Sequence, residues 1–387
     1  MIDLTPLLGP QNAAGRKTSF RVFPRHGRER WLLDTKYRKP WHLETWPQAN
    51  LRARVIYRGA RLLGFLGIQL PSRRTSLIVA DGSLYQRLQA RFDTLGVFLG
   101  TPGPNRKFVV YANDGDKSWF IKVPISPATV ELTRIEAAAL NTLAEAPVLS
   151  DLVPRHFWIG DALAIEDVRP SGATFARLED SEVLRVHDLL FARSCTSFPL
   201  EDLQLKWEAN ANGTVPHADH DTAEQIGAAR KSASGFLDTF ARDMSVECYD
   251  AHGDFTRWNV LRAADGSARI IDWEMFGLRP KFFDPFHYFV SQAILVDRQS
   301  AEAILERAEK FGAGGLDRAS KLQYFGIYVA KQVYAYSLIY ESQQELHPQA
   351  RWQLHSWTEL LTLLTNNRIA EEGSPKPAGP KSSGVAP

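Results

Sequence analysis

The segment Tyr249-Asp250-Ala251-His252-Gly253-Asp254-Phe255-Thr256-Arg257-Trp258-Asn259-Val260-Leu261, followed by Ile270-Ile271-Asp272-Trp273-Glu274, holds the residues whose types and spacing suit chemistry. An amide oxygen and a carboxylate brought side by side suit a small hard cation. Mg²⁺ takes few protein oxygens and completes its octahedron with water and substrate phosphate. The spacing here supplies that juxtaposition. Val260 to Arg262 and Ala268 to Ile271 read as short apolar strands around Asp265-Gly266, a dipeptide suited to a two-residue type I′ turn. In such a hairpin every facing pair sums to the same total as 265 and 266. Asn259 and Asp272 meet that total, which places their Cβ atoms roughly 4.5 to 5.5 Å apart. Asp254, five residues before Asn259 on the loop entering the hairpin, is a second carboxylate. With Asp272 on metal, Asp254 is free to accept a proton from an attacking hydroxyl.

The run HGDFTRWN followed by IIDWE resembles the signature of the aminoglycoside phosphotransferase and choline kinase families, relatives of the protein kinases. The resemblance is clear over residues 250–290, extends to 95–170, and is absent from 1–80. It implies Asp254 as catalytic base, Asn259 and Asp272 as Mg²⁺ ligands, and Asp284, before Pro285, as a structural residue capping the next helix. It also implies an ATP site. Lys122 lies on the third strand of the small lobe, where a kinase-like fold places the lysine that holds the α and β phosphates. Glu136 shares a helix stripe with Leu132 and Leu140 and needs a cationic partner. Lys122 is the natural one, with Glu131 a competitor for it. Gly100-Thr101-Pro102-Gly103 would form the loop over the phosphates, making Gly100, Thr101 and Gly103 nucleotide contacts, although it departs from G-x-G-x-x-G. His252 reads as a loop-shaping residue rather than a base. His217-Ala218-Asp219-His220 reads as a polar loop rather than a metal clip.

These residues must be positioned by a scaffold, and its elements are readable. Residues 95–99, 107–111 and 119–123 are apolar, β-branched runs separated by Gly-Thr-Pro-Gly-Pro-Asn and Asn-Asp-Gly-Asp, the pattern of three antiparallel strands. Ser126 and Pro127 mark a helix start, and Leu132, Ile135, Ala139 and Leu143 its apolar face. A strand over residues 162–168 leads to Arg169-Pro170-Ser171-Gly172, a hinge-like break. Helical patterns then dominate at 180–193, 221–244, 285–296, 299–311, 318–343 and 347–368, with a loop over 209–219. Phe325, Tyr328, Val329 and Val333 fall at core spacing, and Tyr334 to Tyr340 read as core or as lining for an acceptor pocket. In the N-terminal part, residues 20–23, 31–33 and 54–57 read as strands.

Composition bounds the remainder. Over 387 residues the apolar and charged fractions are those of an ordinary globular protein. No apolar run is long enough to span a bilayer, and the N-terminus lacks the order of a signal peptide, so the cytoplasm is the expected location. Cys195 and Cys248 are too few for a disulfide framework and read as buried thiols. The net charge of +2 conceals an asymmetry. Residues 1–75 hold fifteen Lys/Arg against four Asp/Glu, giving +11 there and −9 elsewhere. This basic region reads as a solvated surface, an anionic-ligand site, or a peripheral membrane contact through residues 57–70. Nucleic acid is not an expected partner. Residues 371–387 have nothing to bury and read as a disordered tail.

The expected fold is α+β and two-lobed, protein-kinase-like, with a small antiparallel β lobe carrying one helix and a larger α-helical lobe. The expected divisions are a basic extension at 1–80, a nucleotide-binding lobe at 81–168, a helical catalytic and acceptor lobe at 169–368, and a tail at 369–387. A ligand would sit in the cleft between the lobes. The expected activity is transfer of the γ-phosphate of ATP, with Mg²⁺, to a hydroxyl of a small molecule such as a sugar, glycan precursor, amino alcohol or aminoglycoside. The fold does not choose among acceptors. The basic extension, and a resemblance of the Gly-Thr-Pro-Gly-Pro lobe to kinase-like proteins of bacterial surface polysaccharides, favour a sugar or glycan precursor. The alternatives are a catalytically silent kinase-fold binding protein that uses its basic head as an interaction surface, and transfer to an amine or of a nucleotidyl group.

Overall fold

Strand alternation builds the scaffold that carries Lys122. In a computed structural model that describes residues 2–24, 29–37, 41–45, 51–66, 72–101, 103, 105–211, 218–312, 316–341 and 346–372, the chain forms two compact units, Met1–Leu178 with His252–Gly277, and Glu179–Ala251 with Leu278–Pro387. In order, the first unit contains α1 (Thr5–Leu8), β1 (Gly15–Phe23), β2 (Trp31–Asp34), α2 (Leu51–Phe65), β3 (Arg73–Ala80), α3 (Leu84–Arg91), β4 (Thr94–Phe98), β5 (Phe108–Asn113), β6 (Ser118–Val123), α4 (Pro127–Ala144), β7 (His156–Ile159), β8 (Ala162–Glu166) and β9 (Thr174–Phe175). Eight strands form one sheet in the order β3-β1-β2-β4-β5-β6-β8-β7, so the N-terminal strands extend the same sheet as the three strands read between 94 and 123. Each described pairing in this sheet is antiparallel.

Phe108, Val110 and Ala112 of β5 and Trp119, Ile121 and Val123 of β6 point to one face and join a core with Phe20, Val22, Leu95 and Val97. Successive strand residues point to opposite faces, so Lys122, between Ile121 and Val123, leaves the sheet on the other side. There it meets α4. That helix starts as the sequence dictates: the Ser126 hydroxyl accepts from the Thr129 N–H, the Thr129 hydroxyl accepts from the Ser126 N–H, and Pro127 is the first helical residue. Such a cap is worth about 1 kcal/mol.

The second unit is mostly helical: α5 (Asp180–Ser194), β10 (Thr196–Pro199), α6 (Leu200–Ala211), α7 (His220–Leu237) and β11 (Ser245–Ala251). After the chain returns to the first unit for β12 (Val260–Arg262) and β13 (Ala268–Ile270), it continues with β14 (Gly277–Pro280), α8 (Phe283–Leu295), α9 (Ala301–Lys310), α10 (Arg318–Glu341) and α11 (Pro348–Glu372). Its centre is aromatic. Phe283, Phe286, Phe325 and Tyr328 are buried, with ring centroids 5.2 Å apart for Phe283–Tyr328 and for Phe286–Phe325. Val329 and Val333, the other core positions expected on α10, are also buried. The α+β architecture, with its antiparallel sheet, helical unit and N-terminal extension, is the one expected.

Several local expectations give way. Residues 54–57 lie in α2, because Arg-Val-Ile-Tyr is a β-rich window inside a longer helical stretch, Leu51–Phe65. β10 and α6, between α5 and α7, had no counterpart in the reading. Cys195 is exposed at the end of α5, and only Cys248 is buried. Asp219 caps α7 through its side chain, and His220 is exposed, while His217 lies outside the described residues, as do 373–387. Asp284 does not cap α8. Phe282 holds the capping position in a left-handed conformation, and Asp284 is buried in the first turn, where its N–H donates to the Tyr249 hydroxyl at 3.3 Å. Among the described residues no helix is long and apolar enough to cross a membrane.

Candidate active site

Every expected site residue falls within the first unit. The loop that carries Asp254 is fixed by its two predecessors. Gly253 has φ 83°, and a Cβ there would stand 2.2 Å from the Met275 carbonyl oxygen, so only glycine lets this backbone lie against the 3₁₀ turn Trp273–Met275. His252 is fully buried under the Trp273 ring, with centroids 4.5 Å apart. Its Nε2 lies 3.0 Å from the Ile271 carbonyl oxygen, and its Nδ1 3.2 Å from the Asp254 N–H. A carbonyl only accepts and an N–H only donates, so the proton sits on Nε2 and the ring is neutral in this arrangement. His252 therefore ties the backbone of Asp254 to the residue preceding Asp272.

Asn259, buried in the following 3₁₀ turn, donates from Nδ2 to the Asp254 carbonyl oxygen at 2.9 Å and to the Asp254 carboxylate Oδ2 at 3.0 Å. Both partners are acceptors, which fixes the amide orientation. The Asn259 oxygen is the part of this side chain not engaged in those bonds.

The hairpin differs from its expected register. Val260 faces Ile270, Leu261 faces Arg269 and Arg262 faces Ala268, pairs whose sums fall one short of the expected total. The turn holds three residues rather than two. The Gly266 N–H donates to the Ala263 carbonyl and the Ala263 N–H to the Ser267 carbonyl, with Gly266 at φ 83° as the extra, left-handed residue. The Asp265 carboxylate accepts from the Ser267 N–H at 2.8 Å and holds this bulge. Ile271, rather than Asp272, thus faces Asn259, and its N–H donates to the Asn259 carbonyl at 2.9 Å. A one-residue slip sends a strand side chain to the opposite face. Asp272 leaves the strand instead, at φ 69° and ψ 55°, a left-handed conformation uncommon outside Gly, Asn and Asp. This turn of the backbone re-aims its carboxylate.

That carboxylate meets Lys122. Lys122 Nζ stands 2.5 Å from Asp272 Oδ1 and 2.7 Å from both Glu136 oxygens, with hydrogen-bond geometry to Oε1 and none to Oε2. Glu136, not Glu131, is the partner: Glu136 is fully buried and Glu131 exposed. Glu274 lies 3.7 Å from Lys122 Nζ and pairs with Lys107. Burial works against the Lys122 charge, but Asp272, Glu136 and Glu274 outweigh it and raise its pKa above the usual lysine range. Burial lifts Glu136 to about 7, against the pull of Lys122. Asp272 keeps 38 % of its side chain exposed; desolvation pushes its pKa up, yet Lys122 and Lys107 hold it below the ordinary carboxylate range.

Oxygens of Glu136, Asp272 and Glu274 lie within 4.8 Å of one another. Three carboxylates face two lysines, so with all of them ionised the group carries one net negative charge, an excess that the raised pKa of Glu136 relieves by holding a proton. Like charges about 4 Å apart repel by roughly 4 kcal/mol at an effective dielectric constant of ~20. An all-oxygen, net-negative donor set with a partly open carboxylate fits a hard divalent cation such as Mg²⁺. Asp272 belongs to this group; Asn259 belongs to the neighbouring Asp254 cluster.

The Gly100 loop positions Lys107. At φ 74°, a Cβ on Gly100 would lie 2.3 Å from the Lys107 carbonyl oxygen, so glycine permits this close approach. Thr101 is exposed and accepts from Arg30 at 3.4 Å; Gly103 is in open space, and Pro102 and Pro104 lie outside the described residues. Lys107 and Glu274 are the site residues the sequence reading missed. Glu274 stands inside the Asp-Trp-Glu run, but 167 positions separate it from Lys107, beyond any local spacing rule.

No protein-family profile matches this chain, and no curated protein sequence does. Solved structures match it at low identity. LicA in complex with AMP is 14% identical with a TM-score of 0.44, covering 72% of this chain and 96% of that one, and the choline kinase LicA from Streptococcus pneumoniae is 13% identical with a TM-score of 0.41, covering 66% and 89%. A thermostable mutant of the aminoglycoside phosphotransferase APH(4)-Ia is 13% identical with a TM-score of 0.46, covering 75% and 99%. The spectinomycin phosphotransferase APH(9)-Ia, in complex with ADP and spectinomycin, is 16% identical with a TM-score of 0.41, covering 70% and 93%.

Proposed function

We propose that this protein transfers the γ-phosphate of ATP to a hydroxyl of a small molecule, with a sugar or glycan precursor the favoured acceptor and amino alcohols and aminoglycosides the others. The observation that carries the reading is the role of His252. One neutral ring, bonded to the Asp254 N–H and the Ile271 carbonyl, ties a carboxylate suited to proton transfer to the strand end that leads into the carboxylate group around Lys122.

In this reading Asp254 orients the acceptor hydroxyl and takes its proton as the oxygen bonds to the γ-phosphorus. The bond from that phosphorus to the β–γ bridging oxygen breaks, and ADP departs. Asn259 holds the Asp254 carboxylate for this role. Lys122 steadies the α and β phosphates, with Glu136 fixing the ammonium group. The Gly100 loop, with Thr101 and Gly103, covers the phosphates. Asp272, with Asn259 or Glu274, would hold Mg²⁺, which when bound neutralises phosphate charge.

The test is a screen of sugars, amino alcohols and aminoglycosides for acceptor-dependent ADP release by the full chain with Mg²⁺ and ATP, with product mass read in parallel. Asp254→Ala should keep the far-UV circular dichroism of the parent and lose turnover by about 10²-fold or more. Undiminished turnover in Asp254→Ala, or ATP consumption that yields a nucleotidylated product, would overturn the reading. A chain that binds nucleotide but shows no turnover with any acceptor would be the silent binding protein.

A further inference from the structure

An amphipathic surface lies on α2. Val55, Ile56, Leu62, Leu63 and Leu66 are 62%, 45%, 62%, 39% and 66% exposed, five of the eleven large hydrophobic residues exposed among those described. The other six are scattered along the chain. At about 100° per residue, the five fall with Gly59 within an arc of roughly 120°. Leu66 continues the helix, its N–H donating to the Leu62 carbonyl at 3.0 Å.

The opposite side of α2 is held to the protein. Tyr57 and Ala60 form a small apolar cluster with Leu43. The Tyr57 hydroxyl donates to the Glu44 carboxylate at 3.0 Å, and Arg61 pairs with the same carboxylate at 3.4 Å. Three points of attachment fix the rotation of the helix about its axis, and the apolar arc is the side left outward. Singly exposed hydrophobic residues are ordinary, but a continuous stripe marks a contact surface.

Charge identifies the occupant. Residues 51–66 contain four arginines and no acidic residue, within a segment of net charge +11. Arg58 is exposed on the flank of the stripe. An apolar stripe beside arginines, on a helix too polar to span a bilayer, is the composition that lies in the boundary between headgroups and acyl chains. We propose that α2 is a membrane-surface docking helix, which seats Val55, Ile56, Leu62, Leu63 and Leu66 in the interface of an anionic bilayer with Arg58 against lipid phosphates.

Flotation of the full chain with vesicles tests this. The chain should float with phosphatidylcholine–phosphatidylglycerol vesicles and release as salt is raised, while pure phosphatidylcholine vesicles should retain far less. The double variant Leu62→Ser, Leu66→Ser should lower partitioning about tenfold or more. Arg58→Glu should lower it about tenfold on anionic vesicles and hardly at all on neutral ones. All the substituted positions are exposed, so circular dichroism and the thermal midpoint should match the parent. Failure of the unsubstituted chain to float would overturn the proposal, as would equal binding to neutral and anionic vesicles. So would a dimer in solution that the Leu62→Ser, Leu66→Ser variant dissolves, since the stripe would then be an interface between copies.

Discussion

Lys122 Nζ lies 2.5 Å from Asp272 Oδ1, although 150 positions separate the two residues in the chain. The contact joins the penultimate residue of β6 to a left-handed residue at the end of a hairpin. With Glu136 at 2.7 Å, Lys122 becomes the charge on which the carboxylate group depends. Lys122→Met should therefore destabilise the fold by about 3 kcal/mol, because removing one partner leaves buried carboxylates uncompensated. Urea unfolding measures the loss. Adding Mg²⁺ should stabilise this variant more than the parent, since a cation then takes over part of the compensation.

Asp272→Asn separates charge from shape. Asparagine tolerates the left-handed conformation at φ 69°, so the turn should persist, while the thermal midpoint should fall because the ion pair with Lys122 loses its negative partner. The carboxylate is lost, so the Mg²⁺ concentration giving half-maximal activity should rise at least about tenfold. Unchanged Mg²⁺ dependence would remove Asp272 from the metal group.

Gly253 and Gly266 share φ 83° and differ in their surroundings. A Cβ on Gly266 meets nothing within 4 Å, whereas on Gly253 it meets the Met275 carbonyl oxygen at 2.2 Å. Gly266→Ala should cost only the conformational penalty, about 1 kcal/mol, while Gly253→Ala should cost about 3 kcal/mol or more and displace Asp254. Equilibrium denaturation of the two variants gives the comparison directly.

Two buried groups set opposite pH limits. Burial, aided by Lys281, lowers the His187 pKa to about 3, and His187 Nδ1 has no hydrogen-bond partner among the described residues. A depressed histidine contributes stability that is complete above its unfolded value near 6.5 and lost as pH falls toward 3. His187→Phe should flatten the acid limb of a stability–pH curve between those values.

Glu136 acts in the other direction. Burial raises its folded pKa to about 7, so its contribution is complete below about 4.5 and lost as pH rises through 7. Glu136→Gln should abolish that loss, so that denaturation midpoints at roughly pH 4 and roughly pH 8, on either side of this window, draw closer together than in the parent.

The legible features were those set within a few residues. Ser126-Pro127 dictates a helix start by local hydrogen bonding, and Gly253 beside His252 dictates a tight loop by steric freedom. The hairpin strands were legible too, while the turn was not. Asp265-Gly266 suits both a two-residue turn and a bulge, and the choice rests on whether Asp265 bonds the Ser267 N–H. The four-residue window Arg54–Tyr57 misled because β-branched residues in a helix look local until the whole of α2 is in view.

By itself the sequence determined the α+β class, the strand carrying Lys122 and the helix start at Ser126-Pro127, because each follows from periodicity or short-range bonding. Tertiary structure decided that Glu136 rather than Glu131 meets Lys122, and that Lys107 and Glu274 join the group. It also placed Asp272 on Lys122 through a left-handed turn. Those pairings close only when strands and turns distant in the chain are packed together, and the energy that selects among them is the cost of leaving a buried charge alone.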